Sequence, residues 1–238
     1  MQANYELKTE IGRGSYGTVH EGTLDNEPVA VKVLHKDLCC GSTIDKFREE
    51  CELLQQLNHK NVVKLIQFNI SDSSPPALIT ELLDCDLGKY ITSLQPEKIP
   101  FPEVVSIMLD VAQGLHYLHY QCNPAIVHRD LASKNILLTK TRQAKIADLG
   151  LAKFFPRRQI GMLATPLPGT PVYAAPETWP HQETENPRVV YNKEIDIFSF
   201  GVVLMEAING REPKCYPAAF DTGTYTIILI YCKIVPTY

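Results

Sequence analysis

The sequence predicts an α+β fold of two lobes, a small antiparallel sheet carrying one helix and then a mainly helical second lobe. Two observations carry this reading. Strand-like runs crowd the first 83 residues, and from Asp84 onward the apolar positions recur at helical spacing. Length is a third, because 238 residues with 45% hydrophobic and 21% charged content can bury a substantial core. The expected organisation is one domain with a first lobe at 1–83, a second at 84–210 and an atypical tail at 211–238.

In chain order, Ile11 to Val19 separates two strand-like segments. Val29 to Val33 is a short β-rich run behind the turn-forming Asp25-Asn26-Glu27-Pro28. Ile44, Phe47, Cys51, Leu54 and Leu57 repeat at helical spacing, with Ser42 or Thr43 available as an N-cap. Val62 to Ile70 and Ala77 to Leu83 read as strands flanking the turn-like Ser71 to Pro76. Val104, Val105, Met108, Val111, Ala112, Leu115 and Leu118 form an apolar stripe that begins after Pro100 and Pro102. A last helix is expected from Lys193 to Asn209, ended by Gly210.

A net charge of −4 offers no basic footprint for nucleic acid or an anionic membrane. Met1 to Glu6 lacks the basic and apolar segments of a secretory signal. The apolar stretch Tyr225 to Val235 is far shorter than the roughly 20 residues a spanning helix needs. Seven cysteines scattered through a long chain suggest no disulfide framework, so a cytoplasmic, reducing setting is expected.

Four features carry chemistry. Ile11-Gly12-Arg13-Gly14-Ser15-Tyr16-Gly17-Thr18-Val19 contains G-x-G-x-x-G-x-V between strands, where glycines let backbone amides approach phosphate; a plain flexible hairpin is the alternative. The dinucleotide-binding reading requires a helix at the third glycine, and Thr18-Val19-His20 does not open one. Lys32 lies in an apolar run, and Glu50 shares a helical face with Phe47 and Leu54. A carboxylate among core residues needs a partner, and Lys32 is the natural one. Finally, Val127-His128-Arg129-Asp130-Leu131-Ala132-Ser133-Lys134-Asn135-Ile136-Leu137-Leu138, followed by Asp148-Leu149-Gly150, supplies Asp130, Asn135 and Asp148. These are hard oxygen donors suited to Mg²⁺ and to a hydroxyl proton.

Together with Ala175-Pro176-Glu177 and Asp196-Ile197-Phe198-Ser199-Phe200-Gly201, these motifs resemble the eukaryotic protein kinase catalytic domain over about residues 5 to 210. The resemblance implies ATP between the lobes. Gly12, Arg13, Gly14 and Gly17 would cover the phosphates, Lys32 would hold the α and β phosphates, and Glu50 would orient Lys32. Asn135 and Asp148 would ligate Mg²⁺, and Asp130, with Lys134 beside it, would handle the acceptor hydroxyl. Val19, Ala30 and Leu137 would sandwich adenine, Thr80 would guard the rear, and the backbone of Glu81 and Leu83 would meet its edge. Leu54, Leu65, His128 and Leu149 would stack as a column linking the lobes.

Departures from the family pattern bear on substrate and completeness. Leu149 replaces the usual Phe while keeping its packing role. Ala132 and Lys134 resemble the tyrosine kinase arrangement, whereas Gly169 to Glu177 resembles the substrate-side loop of Ser/Thr kinases. That mixture resembles the tyrosine-kinase-like group and implies a protein substrate, with Ser/Thr favoured over a tyrosine or dual-specificity acceptor. The end of the chain departs from the helices that complete the family's lower lobe, so a truncated, inactive binding module is the rival expectation, and a small-molecule kinase ranks last. Arg129 resembles kinases switched by loop phosphorylation, with Thr165 the candidate site. The sequence offers no oligomeric state.

Overall fold

The computed structural model describes residues 5–14, 17–35, 41–71, 74–155, 162–164, 169–178 and 189–213. β1 (Tyr5–Arg13), β2 (Gly17–Leu24), β3 (Glu27–Leu34), β4 (Leu65–Ser71) and β5 (Ser74–Glu81) form an antiparallel sheet in the order β1-β2-β3-β5-β4. Asp25 and Asn26, at φ +51° and +68°, close the β2–β3 hairpin. Positive φ at both turn residues matches the strand twist, which is why Asp-Asn suits the position.

Cross-strand partners point to the same face, and so do residues two apart on one strand. Val19 pairs with Lys32 and Ala30 with Thr80, so Val19, Ala30, Lys32 and Thr80 share one face. Val29, Val31, Ala77 and Ile79 pack as a small cluster on the other. The sheet thereby separates a structural face from one free to line a cleft.

α1 (Gly41–Gln55) buries Phe47, Cys51 and Leu54 as its spacing predicts, while Ser42 and Thr43 fall inside its first turn rather than at a cap. The expected strand Val62 to Ile70 divides. Val62 and Val63 leave the sheet and bond β9 (Ala144–Ile146) instead, through Val63 N–H to Ile146 O at 2.8 Å and Ile146 N–H to Asn61 O at 2.9 Å. An apolar run states burial but not which neighbour supplies the hydrogen bonds. Pro75 and Pro76 lie inside β5, before its first pairing with β3 at Ala77, where no amide is required of them.

A short β6 (Cys85–Asp86) leads to α2 (Leu87–Ser93), a helix not singled out from the sequence; Asp86 caps it, accepting from Lys89 N–H at 2.8 Å. α3 (Phe101–His116) carries the predicted stripe except at Val105, which faces out at 49% exposure while Ile107 takes a buried place; it has Pro100 at its N-cap and continues as one π turn through Tyr117–Gln121. β7 (Ala125–Val127) and β8 (Ile136–Leu138) bracket the segment rich in candidate residues; β8 pairs with β6 and β9. β10 (Lys153–Phe155) pairs with β7, and β11 (Met162–Ala164) with β12 (Val189–Tyr191). α4 (Glu194–Asn209) ends at Gly210, whose φ of +69° is the left-handed stop the sequence implied. One apolar core runs from Leu34, Phe47 and Leu54 through Ile107, Leu115 and Leu149 to Val203, so both lobes share it.

Candidate active site

β3, α1 and the segment after β9 bring three charges together. Lys32 Nζ donates to Glu50 Oε1 and Oε2 at 2.9 and 3.1 Å and to Asp148 Oδ1 at 3.1 Å. The pairing of Lys32 with Glu50, inferred from one acid on a core-facing helix stripe, is present. Burial alone would lower the Lys32 pKa, but Glu50 and then Asp148 outweigh it and hold the ammonium above its ordinary value. Burial pushes the Glu50 carboxyl up, with Lys32 only partly opposing. Burial acts the same way on Asp148, yet there Lys32 wins, helped by a Gly150 backbone bond, and its carboxyl sits below the usual range. Asp148 takes up φ +58° and leaves 48% of its side chain exposed, so one oxygen holds Lys32 while the group stays open to a ligand.

The β1–β2 turn is closed by Gly14 N–H to Gly17 O at 2.9 Å. A side chain at Gly17 would run into the Val33 carbonyl, whereas Gly12 and Gly14 have no neighbour nearer than 3.8 Å to the place a Cβ would take. Gly17 is thus fixed by packing, while Gly12 and Gly14 present bare backbone. Arg13 is turned to Glu10, making two bonds of 3.0 and 2.8 Å at the exposed surface. Val19, Ala30, Thr80, Glu81, Leu83 and Leu137 are all half-buried. The Glu81 side chain ties down the strand that bears it, accepting from Lys64 N–H at 2.8 Å and from Lys145 Nζ at 2.8 Å with each oxygen.

The Asp130 loop hangs from α4. Asp196, fully buried, accepts from His128 N–H at 2.8 Å, Arg129 N–H at 2.9 Å and His119 Nε2 at 2.7 Å. Burial would raise its pKa, but His119 and these amides hold it low. This carboxylate secures Arg129 at φ +71°, a turn that non-glycine residues seldom adopt. His128 then accepts from Asp130 N–H at Nδ1, 3.2 Å, and donates from Nε2 to Ala147 O at 3.0 Å, which assigns its proton to Nε2. Its ring therefore spaces Asp130 from the residue before Asp148.

Both Asp130 oxygens are engaged. Asn135 Nδ2 donates to Oδ2 at 3.0 Å and to the Asp130 carbonyl at 2.7 Å, and Lys134 Nζ stands 3.7 Å from Oδ2. Thr170 donates to Oδ1 from its backbone and hydroxyl at 2.8 and 2.9 Å. Ala147 N–H bonds Asn135 O at 2.9 Å, which draws Asn135 toward Asp148. The side-chain oxygen of Asn135, whose Nδ2 is the atom turned to Asp130, and the ionised, half-open Asp148 carboxylate are hard oxygen donors of the kind Mg²⁺ takes alongside phosphate oxygens. The residues fit the ion, and a site completed by substrate needs no denser cluster; among the described residues no group of three or more His, Cys, Asp or Glu is poised for metal.

Of the residues expected in the lobe-linking column, Leu54, His128 and Leu149 are fully buried and Leu65 is half-buried against the core. Leu149 thus keeps an apolar packing position. Arg129 Nη1 donates to Leu151 O at 3.2 Å, while Thr165 lies outside the described residues. Sequence reasoning did not assign the contacts of Thr170, Asp196 and His119. A threonine beside a glycine and an aspartate early in an apolar helix carried the signal, but only folding shows their partner.

Residues 5–228 match the family described as the protein kinase domain. The chain is 39% identical over 202 residues to a protein named as a leucine-rich repeat receptor-like serine/threonine-protein kinase of Arabidopsis thaliana, covering 84% of this chain and 22% of that one. It is 36% identical over 203 residues to the LRR receptor-like serine/threonine-protein kinase IOS1 of the same plant, again with 84% and 22% covered. Over 214 residues it is 36% identical to an Arabidopsis receptor-like protein kinase, with 89% and 22% covered. The chain therefore spans about a fifth of the length of these relatives.

Proposed function

The chain belongs to the protein kinase domain family, and from that premise we propose that it transfers the γ-phosphoryl group of ATP to Ser or Thr hydroxyls of proteins. The observation that carries this reading is the double contact of Thr170 with Asp130. It couples the strip expected to dock peptide to the carboxylate expected to meet the acceptor hydroxyl. The names of the relatives support the same acceptor class.

In this reading Gly12, Gly14 and Gly17 cover the phosphates and Lys32, oriented by Glu50, holds two of them. Val19, Ala30 and Leu137 enclose adenine, with Thr80 behind it and Glu81 and Leu83 along its edge. Asp130 orients the acceptor hydroxyl and takes its proton as the new P–O bond forms and the bond to the ADP oxygen breaks. Asn135 and Asp148 hold Mg²⁺, which when bound neutralises charge developing on the phosphate oxygens. Such catalysis is mainly positioning and charge placement, which agrees with a site where each acidic side chain is already held. Arg13, bound to Glu10, is the weakest of the assigned contacts.

Lys134, 3.7 Å from Asp130 and four residues beyond it, favours a second reading with tyrosine as acceptor. A cytoplasmic site of action belongs to the main reading and is supported by the free thiols of Cys51, Cys85 and Cys122. Among the described residues no helix is long and apolar enough to cross a membrane. The test is to incubate the 1–238 chain with Mg²⁺, ATP and a mixed peptide pool and map phosphate by mass spectrometry, with Asp148→Asn beside it. Phosphate on Ser/Thr, absent with the variant, is expected; phosphate on Tyr supports the second reading, and nucleotide binding without transfer supports a binding module.

A further inference from the structure

Behind the acceptor side of the site, three oxygen-bearing groups meet with no cation among the described residues. Ser133 lies in the loop between Asp130 and Asn135, Tyr173 in the strip three residues beyond Thr170, and Glu206 on α4. All three are buried, at 5%, 5% and 4% exposure. Ser133 Oγ is 2.9 Å from Glu206 Oε1, Tyr173 Oη is 2.8 Å from Glu206 Oε2, and Ser133 Oγ is 3.1 Å from Tyr173 Oη. Every pair in the triangle is at hydrogen-bond distance.

Three contacts need three protons. With an ionised carboxylate, Ser133 and Tyr173 each give their single proton to Glu206, and the contact between the two hydroxyls has none left. With a protonated carboxyl the ring closes: Ser133 donates to Tyr173, Tyr173 donates to Oε2, and Oε1–H donates to Ser133. We propose that Glu206 is protonated in the folded protein and that Ser133, Tyr173 and Glu206 form a closed, neutral hydrogen-bonded ring that fixes the peptide-docking strip on the Asp130 loop. The proposal rests on the protein kinase reading for the strip's role, but not for the ring itself.

The surroundings agree. The charged groups that bear on Glu206 are Glu212, just beyond α4, and Asp86, at the cap of α2, and both are anionic. Among the described residues Glu206 makes no ion pair. Burial first, and then these two acids, push its carboxyl up, against the two hydroxyl bonds. Burial likewise raises the Tyr173 phenol, which stays a donor. Ser133 is thereby a positioning residue. It is buried and holds Tyr173, and with it the turn that brings Thr170 to Asp130.

Infrared spectra of the full chain labelled with ¹³C-carboxyl glutamate test this, wild type against Glu206→Gln. A carboxylic-acid carbonyl band at neutral pH that vanishes in the variant is expected; a difference confined to carboxylate bands overturns the proposal. This arm needs no phosphoryl transfer, so it decides the ring even if the kinase reading fails. Where transfer is measured, Ser133→Ala should raise the peptide KM about five-fold with the ATP KM unmoved, the effect of one neutral hydrogen bond, and Ser133→Thr should restore it. Glutamine can donate to Ser133 and accept from Tyr173, so Glu206→Gln should lose less than Ser133→Ala. The reverse order would mean that the site requires a carboxylate, and it would sink the ring.

Discussion

Thr170 grips Asp130 through a single oxygen, donating its backbone N–H at 2.8 Å and its hydroxyl at 2.9 Å to Oδ1. Replacing the hydroxyl leaves the backbone bond in place, so Thr170→Val should keep the fold and lower kcat about ten-fold, the loss of one hydrogen bond to a charged acceptor. The ATP KM should stay near wild type, and Thr170→Ser should recover the rate. Equal rates for Val and Thr at this position would show that the backbone donor alone suffices.

Gly169, one residue earlier, has φ +81°, and a Cβ there would collide with the Asp130 carboxylate. Gly169→Ala therefore combines about 1 kcal/mol or more of left-handed strain with displacement of Asp130. Turnover should fall by more than in Thr170→Val, while the melting temperature changes by only a few degrees. A variant that turns over normally would show that Asp130 can shift without cost.

Removing one member of the Lys32–Glu50 pair leaves a buried charge without its partner. Lys32→Met should cost about 3 kcal/mol in urea unfolding, and Lys32→Met combined with Glu50→Leu should regain most of it by apolar packing. Neither variant should hold ATP as wild type does. Additive losses in the double variant would mean that the two side chains do not depend on each other.

The three charges titrate in different windows. The Asp148 carboxyl lies below the ordinary value near ~4, so its contribution is complete above that and is lost as pH falls through the depressed value. Lys32 lies above the ordinary value near ~10, so its contribution is complete below that and is lost as pH rises through the elevated one. Glu50 is the exception, raised by burial, and it must ionise to orient Lys32. ATP affinity should therefore weaken on acidification first at Glu50, above the ordinary carboxylate range, and Glu50→Gln should abolish that acid limb. A limb unchanged in the variant would assign it elsewhere.

The sequence made the ion pair legible because one acid on a helical stripe of core residues demands a partner, and Lys32 stood on the right face of a strand. Lengths of α3 and α4 followed from apolar spacing and from Gly210. Val62 and Val63 show the limit, since burial alone did not tell sheet from cross-lobe bridge. α2 went unassigned because seven residues give too few turns for a periodic signal, and its cap at Asp86 emerged only with the fold. Contacts such as Thr170 to Asp130, 40 residues apart, are properties of the fold and have no local trace.

The attachment of the His128 and Arg129 amides to Asp196 has a consequence for how the molecule opens. Those amides are protected by a carboxylate rooted in the middle of the core, so in hydrogen exchange they should be released only when α4 itself lets go. The segment that bears Asp130 would then belong to the last unit to unfold, and breathing of the cleft would fall to the β-sheet side, where withdrawal of Lys32 breaks its bond to Asp148 but leaves Asp130 held by Asn135 and Thr170.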